Sequence, residues 1–529
     1  MLAIMLVIGL FVGHSLAEQS QPTFRLFSTG SGPSNKISQV IDMIDSRYVD
    51  EVEKEELVDA VLEDLLEQLD PHSDYISQEE FLAMQEPLEG SFDGIGVEFA
   101  IQNDTVVVIS PVEGGPSEAL GIRAGDRFLQ ADSVKLHGKK VNNRLVMETL
   151  RGPKSSEVQV TIFRPSSKET FDVGITRGKI PINSVASSFM LDNETGYLKL
   201  VRFAGTTVEE FDSKTDELLE QGMQKLVLDL RGNGGGYLFA AVQLADAFLP
   251  EGRLIVYTEG RSHPKRSEYS RADGKLMDID LVVLVDEGSA SASEVLAGAL
   301  QDNDRGTIVG RRTFGKGLVQ DQEELTDQSA IRLTTARYYT PSGRCIQKPY
   351  GEGIDYKSEF YDRQENGELT DAEQATQDSS EVFRTIGGRK VYGGGGIMPD
   401  VFVPLDTSQG SFFLSELYYT GVLNQFAFKH ADMERNNLEA YGSPERFAQK
   451  FVTPSDLIDE LISYAKEQGL SADKNDVARS EKQIALRLKA NIARNIWGAD
   501  GYYPIVIDSD NMKDKALEIL NNPDKRKGA

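Results

Sequence analysis

Apolar and polar positions along this chain change rhythm several times. Met1 to Gly13 is almost wholly apolar. Across 37–86 the apolar residues recur at helical spacing, first Ile37, Val40, Ile41, Ile44 and Tyr48, then Leu57, Val58, Val61, Leu62, Leu65, Leu66 and Leu69. Asp70-Pro71 ends the second helix, and the acidic residues between these positions read as a solvated face. From Gly90 the pattern shortens to strands and turns. Gly94–Phe99 and Thr105–Ile109 are predicted strands, followed by the turn Gly114-Gly115-Pro116 and a short helix from Ser117. Gly121–Asp126 and the strands Val158–Phe163 and Thr170–Ile175 complete this small unit near Arg177.

The next stretch, Ile180 to Leu405, alternates strands with helices. Tyr197–Leu200, Lys225–Leu230 and Leu281–Val285 read as strands; Val208–Glu220, Ala240–Phe248 and Ser293–Gln301 read as helices. That alternation predicts a partly parallel α/β core. Residues 352–382 are polar and acidic, and read as an exposed insertion or mobile loop. The remainder is mainly helical, as in Pro454–Gly469 and Ser480–Trp497. The expected fold is α/β and multidomain. It has helical N- and C-terminal regions (37–89 and 410–529), a β-rich unit at 90–177 and a core at 180–405, with which 37–89 can pack.

Composition narrows the function. With 84 Asp and Glu against 56 Lys and Arg, the net charge is −28, which repels phosphate backbones, so nucleic acid is not an expected partner. Cys345 is the only cysteine, so no intrachain disulfide forms, and it reads as a buried or incidental thiol. The histidines (His14, His72, His137, His263 and His430) lack ligand spacing, so no metal or other cofactor is expected. The apolar start is shorter than the roughly 20 residues of a bilayer span. It fits a signal-sequence core, with Ser15-Leu16-Ala17 as a small-x-small cleavage site. The first basic side chain is Arg25, so the usual basic leader is missing, which suggests a longer signal or anchor. Residues 1–17 are therefore expected to be a signal sequence or membrane anchor. The protein is expected to be exported, to the periplasm or another extracytoplasmic space, with membrane association through this segment.

Candidate chemistry sits in two short segments. In Asp286 to Glu294 an apolar strand ends, small residues turn the chain and a helix begins. A serine there gains exposed N–H groups and the positive end of the helix dipole, which stabilise an oxyanion. Ser291-Ala292-Ser293-Glu294 is equally a capping box, S-x-x-E. In Thr313 to Gln320, Lys316 lies between two glycines, either as a surface charge or held against the serine. As a base it must be neutral, and burial lowers a lysine's pKa. Gln320 is placed to orient the amine without adding charge.

Three segments together resemble the carboxyl-terminal processing peptidases, or tail-specific proteases. They are Leu228–Gly236 (LDLRGNGGG), Gly288–Asp302 (GSASASEVLAGALQD) and Gly310–Gln320 (GRRTFGKGLVQ), in that family's order and at similar spacing. The resemblance covers roughly residues 37–405. It implies a serine endopeptidase with Ser291 as nucleophile, Lys316 as general base, Gln320 as orienting residue, and the amides of Gly236 and Ala292 as oxyanion hole, with Gly235 an alternative. Residues 90–177 resemble a PDZ domain, in which Gly94-Ile95-Gly96-Val97 matches the carboxylate-binding loop for flexible C-terminal tails. Arg151 is a candidate to face the peptidase core. By analogy alone, the helical ends imply a homodimer. A non-catalytic binding protein on the same core is the other reading, and the intact Ser291, Lys316 and Gln320 set argues against it.

Overall fold

The computed structural model describes residues 33–374 and 381–522; the candidate signal at 1–17 lies outside them. The chain divides into two units, 1–69 and 70–529. In the first, helices Pro33–Arg47 and Lys54–Glu67 follow one another, and Lys54 Nζ bonds the Asp42 carboxylate at 2.7 Å. Glu55 and Glu56 sit in the first turn of the second helix, where the dipole favours acids.

In the second unit, a capping box between Ser77 and Glu80 starts helix Gln78–Glu89, and Gly90, at φ 75°, ends it. The chain then enters a two-stranded antiparallel ladder, Ser91–Gly94 against Gly178–Pro181, with Gly94 opposite Gly178. Everything between these strands forms the small β-rich domain. Its main strands run Val97–Gln102, Thr105–Pro111, Arg127–Ala131, Glu157–Arg164 and Glu169–Thr176 in sheet order. The two-residue period buries Val158, Val160 and Ile162 against Val106, Val108 and Phe128.

The peptidase-like core carries a six-stranded sheet in the order Val185–Met190, Thr195–Leu200, Lys225–Asp229, Asp280–Val285, Thr307–Gly310 and Val401–Phe402. Only the first pair is antiparallel. The central strands are apolar without alternation because both faces are covered. Leu226, Leu228 and Val283 pack beneath helices Leu238–Asp246 and Ala292–Asp302. Val227, Val282 and Leu284 face Met512, Ala516 and Ile519 of helix Asn511–Asn521. Each such side chain contributes about 1.5–3 kcal/mol by burial. The C-terminal helix is thus a layer of the core, and Arg231 reinforces it by pairing with both Asp229 and Asp510 at 2.6 Å.

A second sheet is built on the long strand Ala330–Tyr339. Leu318–Glu324 pairs along one edge; Asp74–Ile76 and Leu254–Glu259 share the other, and Arg266–Tyr269 follows. The helical region after residue 410 has its own core around Phe413, Phe447, Leu461 and Leu488. The predicted helix at 454–469 is Ser455–Glu467, and that at 480–497 lies within Lys474–Asp508, which breaks at Gly498 with φ 61°. Among the described residues no helix is long and apolar enough to cross a membrane.

Residues 352–382, expected to be an exposed or mobile insertion, are mostly exposed where the structure describes them, and a few side chains anchor the stretch to the core. Helix Glu359–Glu365 brings Glu359 to Lys348 at 3.0 Å. Arg363 and Glu368 are both buried and paired at 3.0 Å, and Glu368 also pairs with Arg312 at 2.7 Å. A polar stretch reads as solvated until its charges meet opposite charges inside the fold. Arg151 pairs with Glu86 of helix Gln78–Glu89 at 2.7 Å and lies over the Phe92 ring. The β-rich domain also meets the helical region, through Arg127–Asp432 at 2.8 Å and Arg494–Glu98 at 3.0 Å.

Candidate active site

Strand Asp280–Val285 delivers the turn that holds Ser291, and helix Ala292–Asp302 begins immediately after it. Ser291 adopts φ 56° and ψ −115°, a region costing a non-glycine residue of order 1–3 kcal/mol. Its two serine neighbours are fully buried and bonded to backbone: Ser289 Oγ donates to Leu230 O at 2.9 Å, and Ser293 Oγ to Asn233 O at 2.8 Å. Ser291 is only half-buried and lines a cavity of about 340 Å³ with Gly236, Leu238, Phe239, Val295, Leu318 and Gln320.

The glycine-rich turn after strand Lys225–Asp229 lies directly against Ser291. A Cβ on Gly235 would stand 2.8 Å from Ser291 Cβ and 3.0 Å from Ala292 N, and its φ is +101°, so contact and conformation both demand glycine. Asn233 sets this approach. Its carbonyl accepts from Ala290 N–H at 3.0 Å, and its side chain accepts from Gly235 N–H at 2.9 Å. The N–H groups of Gly236 and Ala292 donate to no acceptor among the described residues.

Lys316 is half-buried on the loop before strand Leu318–Glu324. Burial first, then the Arg332 charge, lower its pKa, against the raising effect of Glu294 and Asp70. What joins its loop to the serine is Glu294, which is completely buried. One carboxylate oxygen accepts from Thr313 Oγ1 at 2.5 Å and Gly315 N–H at 2.7 Å; the other accepts from Ser291 N–H at 2.8 Å and Lys316 N–H at 2.9 Å. Burial lifts the Glu294 pKa to about 7, against the pull of these donors. Tyr338 adds a second tie, its buried hydroxyl donating to the carbonyls of Ser291, at 3.2 Å, and Lys316.

Ser291, Gly236, Ala292 and Gln320 thus share one cavity, with the backbone of Lys316 tied beside it. No hydrogen bond joins Ser291 Oγ to Lys316 Nζ. The Gln320 amide donates to Thr334 Oγ1 at 3.4 Å, and Thr334 Oγ1 to Asp70 at 3.1 Å. The sequence reading treated Glu294 only as a cap and did not single out Tyr338, Asn233 or Asp70. The capping box does exist, but S-x-x-E cannot reveal the three further donors from Thr313, Gly315 and Lys316. His72 contributes to the surroundings of Lys316 as a neutral group, since burial pushes its pKa down to about 4. Its Nε2 meets Tyr356 Oη at 2.8 Å.

In the β-rich domain, Gly96 has φ +75°, and the Ile95 carbonyl is fixed by Ser117 N–H at 3.0 Å and its hydroxyl at 2.6 Å. Gly94 ends the entry strand, and Val97 starts the next, opposite Pro111. The N–H groups of Ile95 and Gly96 donate to no acceptor among the described residues.

Family models match four parts of the chain: the N-terminal domain of the activating protease CtpB (13–80), the PDZ domain (94–175), peptidase family S41 (194–358) and a family of unknown function (413–498). A carboxy-terminal-processing protease of Bartonella bacilliformis is 34% identical over 358 residues, 65% of this chain and 80% of the relative. The chain belongs to the carboxy-terminal processing proteases. These are serine peptidases, and this chain carries their peptidase core and PDZ domain. The carboxy-terminal processing protease CtpA of Bacillus subtilis is 32% identical, over 61% of this chain and 68% of the relative. A photosystem II D1 C-terminal processing protease structure is 31% identical, covering 59% of this chain and 89% of its own, at a TM-score of 0.34. With so low a TM-score the assignment rests on the sequence relatives.

Proposed function

We propose that this processing protease works through a Ser–Lys pair, with Ser291 as nucleophile and Lys316 as general base. The observation that carries this reading is the Glu294 carboxylate, which accepts from the N–H groups of both residues. Neutral Lys316 takes the proton from Ser291 Oγ as the oxygen attacks the peptide carbonyl. The unengaged N–H groups of Gly236 and Ala292 receive the developing oxyanion. The lysine then protonates the leaving amine, and water, deprotonated by the same lysine, hydrolyses the acyl-enzyme. Gln320 acts through the wall of the cavity and through Thr334, orienting the lysine's surroundings.

His72 does not offer a competing base: its ring nitrogen is engaged by Tyr356 and it makes no bond to Ser291. In the proposed cycle the PDZ domain recruits exported proteins by flexible, apolar C-terminal tails, with the carboxylate at Gly94-Ile95-Gly96-Val97. Export follows from the apolar segment 1–17, read as a signal or anchor. The test is hydrolysis of an unfolded protein by wild type, Ser291→Ala and Lys316→Ala, each checked for native folding by thermal unfolding. Activity in either variant overturns the pair.

A further inference from the structure

A second groove of about 620 Å³ adjoins the cavity at Ser291, and Leu238, Phe239 and Val319 line both. Both have apolar walls, Leu238, Val295 and Leu318 at the first and Val242, Pro264 and Ala336 at the second. The second groove also carries Lys265, Arg266 and Arg271, from the hairpin around strand Arg266–Tyr269, beside the acids Glu268 and Asp321. Residues 261–271 carry Arg261, Lys265, Arg266 and Arg271 against the single acid Glu268, in a chain of net charge −28.

Not all of this charge is neutralised. Arg266 pairs with Glu268 at 3.0 Å, and His263 approaches Asp321 at 3.5 Å. Lys265 lies over the Tyr257 ring at 3.6 Å, and the side chains of Lys265 and Arg271 form no ion pair among the described residues, while the Arg271 backbone N–H donates to the Asp246 carboxylate at 2.9 Å. Strand Leu318–Glu324 runs beside both grooves, with Gln320 at the first, Asp321 at the second and Val319 at both. It is paired on one edge only, against Ala330–Tyr339. An extended peptide laid along such an edge advances about 3.3 Å per residue. On that path it meets first the cavity at Gln320 and then the groove at Asp321.

We propose that this second groove is a carboxylate-reading subsite, which selects substrates bearing an acidic group a few residues from the scissile bond. It rests on Ser291 as the nucleophile, and it is separate from tail capture by the PDZ domain. Lys265 and Arg271 supply the recognition. Exposed cations of this kind act mainly on selectivity and salt dependence.

The experiment uses the full chain and internally quenched peptides in which one Glu, or Gln as its neutral match, is moved through each position on both sides of the cleaved bond. Every peptide is made with a free and an amidated C-terminus. At one position, the Glu peptide should show a kcat/KM about fivefold above its Gln match, the scale of a partly exposed ion pair. The ratio should fall towards one in Arg271→Glu and in Lys265→Glu, and at high salt, and should reverse in favour of a Lys peptide in the double variant. Preference that follows the free terminus rather than the Glu side chain assigns the groove to the terminal carboxylate instead and overturns the side-chain reading. Equal rates for Glu and Gln at every position, or a preference that survives both charge reversals, overturn the subsite. Cleavage of the Gln peptides by Ser291→Ala overturns the nucleophile instead, so the two failures are distinguishable.

Discussion

Glu294 and Ser291 are bonded reciprocally: the Glu294 carboxylate accepts from Ser291 N–H at 2.8 Å, and Glu294 N–H donates to the Ser291 carbonyl at 2.8 Å. This consumes the amide of Ser291 itself. The next amide, on Ala292, and that of Gly236 have no acceptor among the described residues. The same carboxylate accepts from Lys316 N–H, so one buried acid ties the backbones of Ser291 and Lys316.

Ser291→Ala should lower kcat by about 10⁴-fold or more while leaving the fold intact, as loss of a nucleophile does. Ser289→Ala and Ser293→Ala each remove a buried bond to backbone, and should cost about 1–2 kcal/mol of stability with much smaller losses of turnover. Urea unfolding beside single-turnover rates separates the two effects. Equal turnover losses in all three variants would sink the assignment.

Lys316→Arg should be as inactive as Lys316→Ala, because a guanidinium stays protonated and accepts nothing from Ser291. Wild-type kcat/KM should rise with pH as Lys316 deprotonates, with a midpoint below the ordinary lysine value because burial lowers it. A flat profile from pH 5 to 9, with chemistry rate-limiting, counts against a lysine base.

Glu294→Gln replaces two acceptor oxygens by one and turns an NH₂ towards N–H donors. It should cost about 2–4 kcal/mol of stability and reduce kcat more than it raises KM. The sign of its pH effects is distinctive. The Glu294 charge raises the Lys316 pKa, so removing it should move the rising limb to lower pH. In the wild type the Glu294 pKa of about 7 exceeds its unfolded value of 4.5, so folding binds a proton between them. This acid's contribution to stability is therefore fully present below 4.5 and lost as pH rises to 7. The variant should lack that loss, which urea midpoints at pH 4.5 and 7.5 would measure. A limb that does not move argues that Glu294 acts on structure alone.

Arg344 and Asp302 form an ion pair, 2.8 Å long, with both side chains fully buried. Arg344→Met should destabilise the core by about 3–5 kcal/mol, since Asp302 keeps an unmatched charge. Arg344→Met combined with Asp302→Asn should recover part of that loss. A urea series that finds the double variant no better than the single would show that packing, not charge, is what Arg344 supplies.

One unfolded substrate carrying a free apolar, an amidated or an acidic C-terminus should be cleaved fastest with the first. The difference should lie in recruitment, leaving the catalytic step alone, because the loop at Gly94 to Val97 and the cavity at Ser291 are separate. Equal rates for the three tails would remove tail recognition and leave the Ser–Lys pair untouched.

The α/β core was legible because Leu226-Val227-Leu228 and Leu281–Val285 are continuous apolar runs, which only a sheet covered on both faces requires. What covers the second face was not. Met512, Ala516 and Ile519 give helix Asn511–Asn521 an apolar stripe that reads the same whichever surface it meets. The serine and lysine could be picked out by motif, but Glu294 could not be seen beyond its cap. Its partners Thr313, Gly315 and Lys316 are distant in sequence and donate mostly through backbone, which carries no side-chain signature. Residues 352–382 are largely exposed as composition suggests, but composition does not distinguish a solvated glutamate from Glu368 pinned between two arginines.

The ladder between Ser91–Gly94 and Gly178–Pro181 means that the PDZ domain enters and leaves the enzyme through one doorway. Gly94 and Gly178 are paired residues on adjacent strands, their Cα atoms about 5 Å apart. A two-residue hairpin turn can bridge that gap. Resealing the chain there would keep the ends of the excision in register, at the cost of the ion pairs Arg127–Asp432, Arg494–Glu98 and Arg151–Glu86 that the domain makes with the rest of the fold.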